Sequence, residues 1–123
     1  MKIKESAENY LETIMVLKQQ QGYVRSIDVA NHLGFAKPSV SVAMKSLREE
    51  GCVTTDENGY LSLTEKGQDI ASRIYERHNI IANVLIRLGV SEQTAYEESC
   101  KIEHDISDES FERIKEFLEN FKK

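Results

Sequence analysis

The sequence has no tryptophan, one proline, six glycines and two cysteines. Nor does it contain a run approaching the ~18 to 20 apolar residues of a membrane-spanning helix. Two thiols, Cys52 and Cys100, are too few for a disulfide framework, so each needs its own explanation. The opening MKIKESAENY lacks the apolar core of a secretory signal, and a cytoplasmic protein with no membrane partner is the expectation. Scarce proline and glycine, with 40% hydrophobic and 30% charged residues, exclude a disordered or low-complexity chain and point to a folded, mainly helical one. At 123 residues it has room for one ordinary domain with a helical extension, which excludes a large multidomain enzyme.

An excess of positive charge is also missing. The formal net charge is −5, against the simplest picture of a nucleic-acid binder. By position the picture changes: residues 1–90 carry eleven basic and eleven acidic side chains, while residues 91–123 carry ten acidic against five basic. The acidity is therefore confined to the last third, where bound cations or a partner can offset it.

Helical periodicity dominates what is present. Ala7, Tyr10, Leu11, Ile14 and Leu17 form one face of a first helix over Glu5 to Gln21, with Ser6 as cap and Gly22 as stop. Ser26 can cap a short helix whose Ile27, Ala30 and Leu33 face inward, ending at Gly34. Pro38 then sits in the first turn of a helix in which Val40, Met44 and Leu47 recur until Gly51. The pattern next becomes strand-like, CVTT and YLSL around Asp56-Glu57-Asn58-Gly59, which reads as a hairpin. Thr64 caps a long helix with the row Ile70, Ile74, Ile81, Leu85 and Leu88. Ser91 opens another to about Ile106, and Ser107 a last one with the stripe Phe111, Ile114, Leu118 and Phe121, Phe117 beside it.

Helix, helix, turn, helix, hairpin is the order of a winged helix-turn-helix, in which the second helix of the motif enters the major groove. With Val40, Met44 and Leu47 inward, the opposite face presents Pro38, Ser41, Val42 and Lys45, with Lys37 and Ser39 at the tip. Hydroxyls, a branched aliphatic and a lysine suit base edges, and a helix N-terminus beside a lysine suits a phosphate. Arg25 and Arg48 flank this unit, though Glu49, Glu50, Asp56 and Glu57 nearly cancel them.

The second half carries a different chemistry. Cys100, Glu103 and His104 stand at i, i+3 and i+4, which puts three ligand types on one helical face, while Ala95, Ser99, Ile102 and Ile106 make the packing face. His78 interrupts the apolar row between Ile74 and Ile81, so it is either a hydrogen-bonded core residue or a ligand. Asn9 and Glu12 make a further i, i+3 pair on the first helix. His32 and Cys52 have no ligand neighbours and read as structural.

On AENYLETI, RSIDVANHLGFAKPSVSVAMKSLREEG, LTEKGQDIASRIYERH and ESCKIEHDISDE, the chain resembles the diphtheria-toxin-repressor-like metalloregulators, which include iron-dependent repressors and manganese transport regulators. The resemblance implies a mainly α fold, with a winged helix-turn-helix over residues 1–70 and a helical metal-binding and dimerisation domain over 71–123. It also implies a homodimer that binds palindromic operator DNA when loaded with a divalent transition metal and represses metal-uptake genes. Carried over, the iron-type primary site maps onto Cys100, Glu103 and His104, with Asn9 where that branch has methionine and the manganese branch aspartate. Glu12 and His78 map onto the manganese-type companion position, and Glu103 can be shared between the two. The length resembles the short, manganese-type form.

Two departures bear on the metal. Cys100 stands where manganese sensors carry glutamate, and a thiolate favours Fe(II), Co(II) or Zn(II) over Mn(II). The iron branch's ancillary site needs an acid and a histidine where this chain has Ala82 and Tyr96. Fe(II) is therefore the favoured metal. Without the resemblance, the same residues also admit a metal-independent winged-helix protein-interaction module, with Cys100 and His78 in the core, or a small metalloenzyme, for which no substrate pocket or acid–base pair is evident.

Overall fold

The structure, a computed structural model, describes residues 5–122. The element order is α1 (Glu5–Gln21), α2 (Ser26–Leu33), α3 (Lys37–Glu49), β1 (Val53–Thr55), β2 (Leu61–Leu63), α4 (Glu65–Arg87), α5 (Glu92–Ile102) and α6 (Asp108–Lys122). Two compact units divide the chain, Met1–Ser72 and Arg73–Lys123, and α4 belongs to both. No helix among the described residues is long and apolar enough to cross a membrane.

In the first unit the apolar face of α1 is buried as its spacing predicts, through Tyr10, Leu11, Ile14 and Leu17, although Ser6 lies inside the helix and does not cap it. Val40, Met44 and Leu47 of α3 join the same core, with Cys52, Val53, Leu61 and Ala71. Withdrawing a side chain such as Leu11 or Val40 from water contributes about 1.5–3 kcal/mol each. The short α2 departs from expectation: Val29 is buried with Ala30, and Ile27 is exposed. Its N-cap is Arg25, whose N–H donates to the Asp28 carboxylate at 2.8 Å. A helix of two turns takes its orientation from its anchors, and here Leu61 N–H donating to the Val24 carbonyl at 2.7 Å fixes the entry.

The hairpin is shorter than the pattern suggests. Val53, Thr54 and Thr55 pair antiparallel with Leu63, Ser62 and Leu61, while Tyr60 forms an isolated bridge to Arg25. The Asp56 carboxylate closes the bend by accepting the N–H groups of Asn58 and Tyr60 at 2.8 and 2.9 Å, and Gly59 takes the left-handed conformation at φ 83°.

Thr64 caps α4, its hydroxyl donating to the Gly51 carbonyl at 2.6 Å and accepting Gly67 N–H at 3.1 Å. This locks the start of α4 against the chain entering β1, so closely that a Cβ on Gly67 would overlap the Cys52 carbonyl oxygen.

In the second unit Ile74, Ile81, Ala82, Ala95, Phe111 and Leu118 are buried. Ser91 caps α5 and the Ser107 hydroxyl accepts Ser110 N–H at 3.1 Å, starting α6 as its sequence predicts. Two expectations are corrected. The helix bearing the ligand cluster ends at Ile102, not Ile106, because the cap of α6 claims the following residues. Leu88 lies beyond the end of α4 and is exposed.

Gly67→Ala is expected to destabilise the first unit by about 1–3 kcal/mol, since the obstacle is backbone that cannot swing aside. Urea unfolding followed by circular dichroism measures this, and a midpoint equal to wild type would mean that α4 can retreat from Cys52 without loss.

Candidate metal centre and nucleic-acid interface

The last turn of α5 and the residue that caps it build the donor cluster. Glu103 keeps helical backbone angles (φ −59°, ψ −27°) and its N–H donates to the Ser99 carbonyl at 3.0 Å. The i, i+3 geometry from Cys100 therefore persists although the helix is ending, and His104 follows in the turn. Ligand atoms of Cys100, Glu103 and His104 all lie within 4.8 Å of one another. Glu103 Oε1 is 3.5 Å from His104 Nε2, and the two side chains are 0% and 3% exposed. The face read from sequence as opposite the packing face is thus itself withdrawn from water at Glu103 and His104, with Cys100 half-buried.

His78 of α4 reaches the same carboxylate, its ligand nitrogen and a Glu103 oxygen lying within 4.8 Å. Its Nε2 is 2.9 Å from the Tyr96 carbonyl oxygen, and the two rings meet edge to face at 5.7 Å. A carbonyl can only accept, so Nε2 is the donor here and Nδ1 is the ring nitrogen a metal would take. Metal-binding histidines are commonly oriented in this way by a backbone carbonyl. Nitrogen, carboxylate oxygen and sulfur thus converge where a divalent transition metal is the ion that fits the donor set. Asn9 and Glu12 lie in the first unit, half-buried on α1.

The thiols differ in setting. Cys52 is fully buried and burial pushes its thiol up from the ordinary value, whereas Cys100 is half-buried in the cluster.

In the first unit Lys37, Pro38, Ser39, Ser41, Val42 and Lys45 of α3 are all exposed, Val42 at 71%. Arg25, ahead of α2, is exposed as well, its guanidinium 4.5 Å over the Tyr60 ring, which in turn packs edge to face on Tyr23. Arg48 donates to the Thr55 hydroxyl at 3.2 Å, tying α3 to the hairpin.

Comparison with known proteins decides between the readings. A family model described as the N-terminal DNA-binding domain of iron-dependent repressors matches residues 2–61, and one described as their metal-binding and dimerisation domain matches residues 64–123. The chain is 37% identical to an uncharacterised HTH-type transcriptional regulator of Methanocaldococcus jannaschii, covering 98% of each chain. The chain belongs to the iron-dependent repressor family.

It is also 32% identical to the HTH-type transcriptional regulator MntR of Geobacillus kaustophilus, over 94% of this chain and 82% of that protein. The solved structure of the manganese regulator SloR matches with a TM-score of 0.82 at 31% identity, over 97% of this chain and 55% of that one. The chain thus spans little more than half the length of that relative. Family members are metal-dependent transcriptional regulators, not enzymes, with a winged helix-turn-helix followed by a helical domain.

Sequence reasoning did not find Tyr96, whose contribution is a backbone carbonyl and so leaves no side-chain signal. Nor did it find Tyr60, although an aromatic just after the Asn-Gly bend and an arginine across the sheet edge were both visible.

Cobalt(II) added to the chain is expected to give intense sulfur-to-metal absorption in the near ultraviolet. Cys100→Ala should abolish the band and Cys52→Ala should leave it. A wild-type complex without it removes Cys100 from the donor set.

Proposed function

We propose that this protein is a metal-activated repressor that binds palindromic operator DNA as a homodimer, with Fe(II) as its activating metal and metal-uptake genes as its targets. The observation that carries the reading is the convergence of Cys100, Glu103 and His104 on one buried point, in a chain whose α3 exposes Val42 and Lys45. Lys37, Pro38, Ser39, Ser41, Val42 and Lys45 read the groove, with Arg25 on the backbone. Cys100, Glu103 and His104 hold the ion, and His78 joins through Nδ1. By the family resemblance, Glu12 and Asn9 of α1 bind as well, so that loading couples the DNA-reading unit to the metal. The bound cation supplies positive charge to the acidic last third and a fixed geometry to its ligands.

Fe(II) is favoured because a thiolate is a soft donor. A second reading, Mn(II), draws support from the similarity to proteins named MntR and to the manganese regulator SloR. Operator binding measured anaerobically by fluorescence anisotropy separates them. Fe(II) is expected to tighten binding at least about tenfold over EDTA, roughly 1.4 kcal/mol of coupling. Lys45→Ala should weaken the loaded complex without unfolding the chain, and added salt should weaken it steeply. Equal affinity in EDTA and Fe(II) would sink metal activation; tighter binding with Mn(II) than with Fe(II) would reassign the metal.

For the dimer contact, the stripe named from sequence divides. Phe111 and Leu118 are buried within their own unit and Ile114 is half-buried, whereas Phe117 and Phe121 stay 63% and 59% exposed with ring centroids 6.2 Å apart. Phe111 and Leu118 are therefore withdrawn from the contact, and Phe121 keeps it with Phe117. Two neighbouring phenylalanines in water are what a second copy would cover. Sedimentation should show a dimer at about 10 µM, which Phe117→Ser with Phe121→Ser converts to monomer; a wild-type monomer there would remove the interface.

A further inference from the structure

Arg77 occupies a place where the helix pattern asks for an aliphatic residue. It stands three residues after Ile74 and four before Ile81, both buried, and its own side chain is only 9% exposed. One arm of its guanidinium, Nη2, donates to the Ile106 carbonyl at 2.8 Å; the other, Nη1, meets the Asp108 carboxylate at 3.2 Å. The group lies 5.1 Å over the Phe111 ring, and its Nε is buried without a hydrogen-bond partner. Stability alone does not favour such a residue. A charge taken out of water with one donor unsatisfied is often replaced by an apolar side chain at no loss.

What the guanidinium does that an aliphatic chain cannot is hold a segment of backbone. Residues 103–107 lie between the end of α5 and the start of α6, outside any regular element, and two adjacent members of the donor cluster, Glu103 and His104, project from them. Arg77 clamps this segment at Ile106 and at Asp108. The next residue of α4, His78, is tied to the Tyr96 carbonyl of α5. Consecutive residues of one helix therefore fix both sides of the donor cluster, one through a ligand and one through the connection that carries two others.

Building on the metal-centre reading above, we propose that Arg77 is a positioning residue of the metal centre, which holds Glu103 and His104 in binding geometry before the ion arrives. An ordered cage spares the ion the entropy of ordering the connection, and supports beyond the ligands themselves commonly change metal affinity 10–100-fold. Asp108, 93% exposed on its side chain, is the lesser anchor, and the Ile106 carbonyl the greater.

The test is Co(II) titration of the full chain, read by the sulfur-to-metal and visible bands, beside urea unfolding of the metal-free protein. Arg77→Met keeps an unbranched side chain against Phe111 and releases Ile106. It is expected to unfold at the same or higher urea concentration while Co(II) affinity drops about 10–100-fold and the visible band changes shape. Arg77→Lys, which retains one donor arm, should recover part of the affinity, and Asp108→Asn should stay within a few-fold of wild type. Unchanged Co(II) affinity and spectrum in Arg77→Met overturn the proposal. If Arg77→Met does not fold, Arg77→Lys decides: a several-fold loss with an altered visible band supports the clamp, and wild-type affinity and spectrum overturn it. Failure of the wild type itself to bind Co(II) strikes the metal-centre reading, a different outcome from wild-type binding that Arg77→Met leaves intact.

Discussion

A carboxylate that keeps 1% of its surface in water constrains everything around it. Holding an anion in low dielectric is costly unless opposite charge and hydrogen-bond donors are fixed nearby, and Glu103 stands among Cys100, His104 and His78. From α4 comes His78 with its proton committed to Tyr96; from α5 comes Cys100; His104 follows in the turn. A divalent cation held among them would offset the anion. The helix end, the carbonyl-bound histidine and the half-buried thiol then share one setting, a buried acid ringed by donors that would fit a metal.

Much of this was legible from the chain because it rests on short-range rules. The row Val40, Met44, Leu47 fixes which face of α3 looks inward and therefore which residues are left exposed on the other. The spacing of Cys100, Glu103 and His104 needs only that helical backbone persist for four residues, and it does so even though α5 is ending. What periodicity could not show depends on contacts distant in sequence. Whether Phe111 and Leu118 face a partner or their own unit depends on α4, and Arg77 over Phe111 is part of the answer. The end of α5 is set by Ser107 capping the next helix, a local signal that was visible but loses to unbroken helical spacing when read without it. The exposure of Ile27 follows from the anchoring of Val24 to Leu61, which no pattern within α2 records.

The charge distribution takes on meaning in the same frame. The wing bend carries Asp56 and Glu57 where a phosphate backbone would be met, which by itself weakens DNA binding. Part of that charge is engaged locally, since the Asp56 carboxylate holds the bend through two backbone N–H groups. Arg25 and Tyr60 stand at the base of the same hairpin, stacked and tied by the bridge across the sheet edge. The acids Glu49, Glu50, Asp56 and Glu57 thus stand beside the three cations of the proposed reading face, Arg25, Lys37 and Lys45, and nearly offset them with Arg48. On the function proposed above, such a surface would have modest intrinsic affinity, which leaves room for a second event to decide whether an operator is occupied.

A metal can be that event only to the extent that it binds one conformational state better than another. Moving a population from 1:99 to 99:1 requires about 5.5 kcal/mol of differential binding, and a single ion gains that only if its ligands are scarce in the competing state. A cage held rigid in every state would bind metal tightly and switch nothing. Here the donors differ in how they are held: Cys100 is carried by α5, His78 is oriented by Tyr96, and Glu103 with His104 issue from a connection clamped by Arg77, all within the second unit. These can be ordered before the ion arrives. The ligands that the family resemblance assigns to α1, Glu12 and Asn9, belong to the other unit. On the function proposed above, the preordered set would supply affinity, and switching would require a further ligand that only one state presents.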